Sequence, residues 1–194
     1  MKSTIKLAAL FPALLLGGCL SFGGETPDSL LTLTAAETVP AGAAMPGSQA
    51  NALALVEFEA VKAVEVTRVP VQVTDTELAY LKDAVWVDRP ARLFGQLVAE
   101  TIRSRSNRMV VAGEDPGVNA TDRLHGIVRS FGYDARTAEA VVVFDAVRSG
   151  NGTTVATRRF EARVPVAAPE AAFVGPALNQ AANEVAGQIA DWLR

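Results

Sequence analysis

Apolar residues recur along this chain with two different periods. Between Pro90 and Ser104, Leu93, Phe94, Leu97, Val98 and Ile102 fall on one side of a helix, and Arg92, Gln96, Glu100 and Arg103 on the other. That spacing predicts an amphipathic helix with its stripe against a core. Pro90 suits the first turn, where a missing N–H costs nothing. Either Asp88, the better chemical cap, or Arg89, which the following proline holds out of helical geometry, begins it. A closing helix is predicted over about Ala171 to Leu193, with Val174, Leu178, Ala181, Val185, Ile189 and Trp192 in one stripe.

Elsewhere the period is nearer two. Ser29 to Thr34 reads as a small β-like patch, and the Ala-, Gly- and Pro-rich stretch 35–51 as a flexible surface loop. Leu53 to Val61 and Val64 to Val73 read as two extended segments, the second at a sheet edge because Pro70 cannot donate to a ladder. Tyr80 to Val87 reads as a short strand leading into the first helix. Met109 to Ala112 follows that helix as a brief strand, then a turn-rich loop over Gly113 to Thr121.

Three more strands are expected in a meander. Arg123 to Tyr133 places Leu124, Gly126 and Val128 on one face and Ile127, Phe131 and Tyr133 on the other. Ala138 to Arg148 is nearly all apolar, the pattern of a central strand covered on both sides. Thr153 to Pro165 comes last, joined through the turn Ser149-Gly150-Asn151-Gly152, whose Gly and Asn tolerate positive φ. The sum is a single mixed α+β domain: a mixed sheet with an antiparallel meander and two main helices packed on it.

Composition narrows the function. Hydrophobic residues make up 49% of the 194, enough for a sizeable core. A formal net charge of −3 argues against a nucleic-acid partner. One cysteine and one histidine exclude an internal disulfide and any Cys/His metal cluster, so no cofactor or metal is expected.

The single cysteine has a telling position. Lys2 and Lys6 supply a positive start, Leu7 to Leu16 an apolar run too short for the roughly 20 residues that span a bilayer, and Leu16-Gly17-Gly18-Cys19 a lipobox-like end. Residues 1–18 are therefore expected to be a lipoprotein signal peptide, with Cys19 lipidated, 19–28 a tether and 29–194 the folded domain. An ordinary secretory leader before a free cysteine is the alternative. Leu20, rather than an aspartate, after the cysteine resembles the pattern of outer-membrane sorting. Cleavage removes Lys2 and Lys6, taking 18 basic residues to 16 against 21 acidic, a balance of −5. A lipid, not charge, would then hold the protein at the membrane.

No residue set stands out as catalytic. His125 lies in a strand pattern with no local partner for base catalysis and reads as an ordinary strand histidine. Asp83 and Asp88 flank Trp86, but the plainer reading puts Asp83 in a turn and Asp88 at a helix start. Trp192 completes the closing helix's stripe. Trp86 is either core or a partner-facing anchor. Arg129, Arg136, Arg148, Arg158 and Arg159 gather on the meander, as a solvated face or as a docking patch for an acidic partner. Trp86, Arg129, Arg136 and Arg158 are the candidate partner-binding residues.

Several segments, in order, resemble the ABC-type transport auxiliary lipoprotein family. They are the lipobox ending at Cys19, Ala79-Tyr80-Leu81 with Val85-Trp86-Val87-Asp88-Arg89-Pro90, Arg123-Leu124 through Val128-Arg129-Ser130-Phe131, Thr157-Arg158-Arg159-Phe160, and Ile189-Ala190-Asp191-Trp192-Leu193. The resemblance implies an outer-membrane lipoprotein on the periplasmic face. It would be a non-enzymatic accessory to a system whose substrate-binding partner is a mammalian-cell-entry (MCE) domain protein, working with an ABC permease and ATPase on phospholipid-like molecules. The partners expected are that system, the membrane through the N-terminal lipid, and further copies of the chain. The alternative is a periplasmic carrier that itself binds a lipid or other apolar ligand.

Overall fold

The computed structural model describes residues 29–43, 52–106, 108–112, 120–150 and 154–194. The leader, Cys19 and the 19–28 tether lie outside these residues, as do 44–51 of the expected flexible loop and 113–119 of the second.

Within them eight strands form one mixed sheet: β1 (Leu53–Leu55), β2 (Glu59–Ala60), β3 (Arg68–Gln72), β4 (Leu78–Val85), β5 (Val110–Ala112), β6 (Asp122–Asp134), β7 (Glu139–Gly150) and β8 (Thr154–Pro165). The helices are α1 (Pro90–Ser106) and α2 (Ala171–Trp192), and they pack on each other and on the sheet. The expected mixed α+β architecture is therefore the one observed. Strand β6 is its spine. One edge pairs antiparallel with β7 over almost its whole length, and the other takes β1, β2 and β3 in succession, all parallel. Strand β8 pairs antiparallel with β7 up to Gly150↔Thr154, and residues 151–153 of the predicted turn region lie outside the described residues.

The first helix begins at Pro90, as its sequence requires. The Arg89 carbonyl accepts from the Arg92 and Leu93 amides at 3.0 and 3.1 Å, while the Asp88 carboxylate accepts from the Arg89 amide at 2.7 Å. Arg89 is thus the residue at the boundary and Asp88 braces it from outside.

Three strand expectations fail for one kind of reason, an irregular register. Val128 pairs with Phe144 but Ser130 pairs with Val143, so Arg129 is an extra residue in β6. A bulge reverses the alternation beyond it. Phe131 and Tyr133 therefore join Leu124 and Val128 on the core side instead of opposing them. Strand β3 is internal, not an edge, bonded to β4 and β6. Pro70 is tolerated because it sits at the β3–β4 register shift and β6 engages only from Val71 onward. Asp83 lies inside β4, not in a turn. Arg68↔Val85 and Pro70↔Tyr80 leave four β4 residues opposite Val69 alone, and Asp83 takes φ 55 there.

Strand β7 also differs from expectation. Ala140, Val142, Phe144 and Ala146 face the helices, but Val143, Asp145 and Val147 stay only partly covered on the other side. The helices cover one face of the meander and leave the other to side chains of the sheet itself.

The core is aromatic at its centre. Phe144 lies 4.4 Å from Phe58 and 5.4 Å from Phe94 between ring centroids, and Phe131 lies 5.5 Å from Trp86. Fully burying each such side chain contributes about 1.5–3 kcal/mol. Instead of the expected β-like patch, 29–34 makes a single bridge, Leu31↔Trp86. Residues 31–39 then run across α1 and α2. The Asn179 side chain accepts from the Thr34 amide, Asn183 accepts from Ala36 and donates to Thr34, and Glu100 accepts from Val39, all within 2.7–2.9 Å. The described part of the predicted loop is a strap held by polar side chains of both helices.

Candidate docking surfaces

The sheet face away from the helices carries a lattice of guanidinium and carboxylate groups. At its middle Asp145 takes two arginines at once. Arg159 donates from Nε and Nη2 at 2.6 and 2.8 Å, and Arg129 from Nε at 2.8 Å. The Arg159 hydrogen bond, reinforced by Arg129, pulls the Asp145 carboxyl down to about 2 against a smaller opposing effect of burial.

At the β6–β7 turn Arg136 grips buried Asp134 through Nε and Nη2 at 2.9 and 2.7 Å, and its remaining arm meets Asp75. That grip lowers the Asp134 carboxyl below its ordinary range. Arg163 donates to Glu161 and Glu139. An open groove of about 450 Å³ lies between these groups, floored by Pro70, Val141 and Val143 and rimmed by Arg129 and Arg163.

The five meander arginines are thus brought together only in part. Arg129, Arg136 and Arg159 share the outer face, but Arg158 pairs in register with core-facing Ala146 and lies on the helix side, 5.2 Å over the Phe160 ring. Phe160 in turn meets Trp192 edge-on at 5.6 Å, so Trp192 packs as the stripe predicts. Arg148 is also separate. With Arg108 it clasps buried Asp122, at 2.8 and 2.6 Å. Burial pushes that carboxyl up, and the two arginines more than reverse the effect. The outer face is not a positive patch, since its arginines are met by Asp75, Asp134, Asp145, Glu139 and Glu161.

Trp86 is 2% exposed and packed on Phe131, which removes it as a partner-facing anchor. His125 stands exposed on β6. Asp83 and Asp88 have separate cationic partners, Lys82 at 3.8 Å and Arg92 at 3.5 Å.

Sequence reasoning missed the strap's ligands. Asn179 and Asn183 are four residues apart on the polar side of α2, a spacing that puts two side-chain amides in line. It missed Asp122 too, since an acid at a strand start carries no mark of the two arginines that converge on it.

The fold is that of a small mixed-sheet domain with both helices against one face of its meander. The family model described as ABC-type transport auxiliary lipoprotein component matches residues 32–190, and the chain belongs to that family. Among solved structures, a Xanthomonas campestris protein of the DUF330 family superposes with a TM-score of 0.69 at 20% identity, covering 84% of this chain and 94% of that one. A second, described only as an uncharacterized protein, gives 0.66 at 13% identity, covering 86% and 100%. Both share the fold. No curated protein matches the chain.

Proposed function

We propose that this chain is a non-catalytic subunit, acylated at Cys19, that holds an MCE-domain substrate-binding protein and its ABC permease and ATPase at the periplasmic face of the outer membrane. The family match over 32–190 carries this reading, with the lipobox-like Leu16–Cys19 placed just ahead of it. Residues 19–28 serve as tether and 29–194 as the docking body. Mechanistically, the anchor converts docking into a two-dimensional encounter at raised effective concentration. Arg129 and Arg136 are the proposed partner contacts. Because carboxylates already match their charge, they recognise the partner by directed hydrogen bonds more than by net attraction. Arg158, on the opposite side of the sheet, contributes only if the partner wraps the β8 edge.

The test is replacement of the chromosomal copy by Cys19→Ala. Loss of the transport-dependent phenotype, with the protein still folded in the periplasm, supports the proposal. Full transport by Cys19→Ala protein would overturn it.

A further inference from the structure

Three large apolar side chains are exposed at one end of the domain, and that end is where the chain enters from Cys19. Leu30 is 53% exposed, Val87 55% and Phe173 47%. Their placement follows from the strap. The Leu31 amide donates to the Val85 carbonyl at 2.7 Å, and the Val87 amide donates to the Leu31 carbonyl at 2.8 Å, which sets Leu30 and Val87 on adjoining extended segments either side of the Leu31↔Trp86 bridge. Leu31 itself reaches α2 at Gly175, where a Cβ would come within 2.7 Å of its Cδ2. Phe173 precedes Gly175 by two residues, in the first turn of α2, and Val87 precedes the start of α1 by three. From there the strap leads away, past Asn179 and Asn183 to Glu100 and Arg105 towards the helix C-termini. Leu30, Val87 and Phe173 thus each lie at the helix N-terminal end, the end at which the described chain begins.

A single exposed leucine or phenylalanine needs no explanation. Three at the entry point of a lipid-anchored chain are different, because chain length fixes what lies near them. Eleven residue steps separate Leu30 from Cys19, a reach of at most about 40 Å at ~3.3–3.6 Å per residue. The 22 residues of α2 are of similar length, about 33 Å. An acylated Cys19 therefore keeps this end within one domain length of the bilayer. Fixed charge at this end is balanced in sign: Asp88 pairs with Arg92 at 3.5 Å, and exposed Arg89 and Glu170 stand just before α1 and α2.

We infer that Leu30, Val87 and Phe173 form a membrane-contact face that seats the domain on the lipid surface with its helix N-termini towards the bilayer. This rests on the acylation of Cys19 proposed above. The anchor supplies proximity, and the three side chains supply orientation by entering the headgroup–acyl boundary. The strap and the open sheet face are thereby held at a fixed attitude to the periplasm.

The test uses the mature, full-length protein in phospholipid vesicles, with a nitroxide label at Val87→Cys or Val155→Cys. Both positions are exposed, so neither change opens the core. Val155 lies at the start of β8, roughly 30 Å along the strand from the end that leads into α2. Cys19 is the only native cysteine, so an acylated chain takes one label per molecule. The inference expects the label at Val87 to lose accessibility to an aqueous nickel complex and gain it to oxygen, while the label at Val155 stays aqueous. Equal aqueous access at both sites on vesicle-bound protein would overturn the membrane-contact face and leave the anchor intact. Spin–spin broadening between copies at Val87, with shielding from both relaxers, would also overturn it and assign the face to a second copy. Two labels per molecule would instead remove the acylation, and this inference with it.

Discussion

Phe131 meets Trp86 edge-on, with centroids 5.5 Å apart and planes at 75°, because Arg129 is one residue too many for the β6–β7 ladder. Without that extra residue the Phe131 ring would point out of the sheet. Two predictions follow from the pair.

Trp86 carries the one buried side-chain polar atom without a partner among the described residues, its Nε1. An orphaned buried donor costs about 1–3 kcal/mol. Trp86→Phe removes that cost while losing part of the ring's burial, so its net effect on urea unfolding should lie within about 1.5 kcal/mol of wild type. Trp86→Ala should destabilise by about 3–5 kcal/mol.

Deleting Arg129 should be far worse than substituting it. Arg129→Ala keeps the register and loses one partly exposed contact to Asp145, worth about 0.2–1 kcal/mol. The deletion returns β6 to strict alternation and turns Phe131 and Tyr133 away from the core. Circular dichroism with a denaturant titration should show a folded substitution variant and a deletion variant without a cooperative transition.

The helices were legible because a 3.6-residue stripe survives any local irregularity. Leu93 to Ile102 and Val174 to Ile189 are buried where that period puts them. The strand faces were not legible beyond Arg129, since Val-Arg-Ser-Phe carries no mark of a bulge, and one extra residue inverts everything after it. Arg158 and Arg159 were grouped by their place on the meander alone, whereas the regular β7–β8 ladder turns such neighbours to opposite faces. Pro70 argued for an edge because a proline in a ladder and a proline at a register shift look alike in one dimension. The Gly17-Gly18-Cys19 pattern is a reading of sequence alone, since it lies outside the described residues.

Acid should unlock the outer lattice. The Asp145 carboxyl sits at about 2 against an ordinary 3.8, and Asp134 and Asp122 are lowered too. For a depressed carboxyl the unfolded chain takes up the proton first. Its contribution is therefore complete above the ordinary value and lost as pH falls through the folded one. Stability should be flat from neutral pH to about 5 and fall between roughly pH 4 and 2. Asp145→Asn should lose about 1 kcal/mol at pH 7 and show a shallower fall, checked by thermal unfolding across that range.

The strap should loosen without global unfolding. Asn183 touches it twice, at the Thr34 carbonyl and the Ala36 amide. Asn183→Ala should cost about 1–2 kcal/mol locally and speed amide exchange at Thr34, Ala36 and Val39, with exchange in β6 and β7 unchanged.

The most direct check of the central claim is gentle detergent extraction of the tagged full-length protein, with mass spectrometry of the proteins and lipids that accompany it. The proposed role predicts an MCE-domain protein or ABC subunit with the wild type, and its loss with Arg129→Glu combined with Arg136→Glu. Stoichiometric phospholipid with no protein partner would contradict it and make the domain itself the carrier.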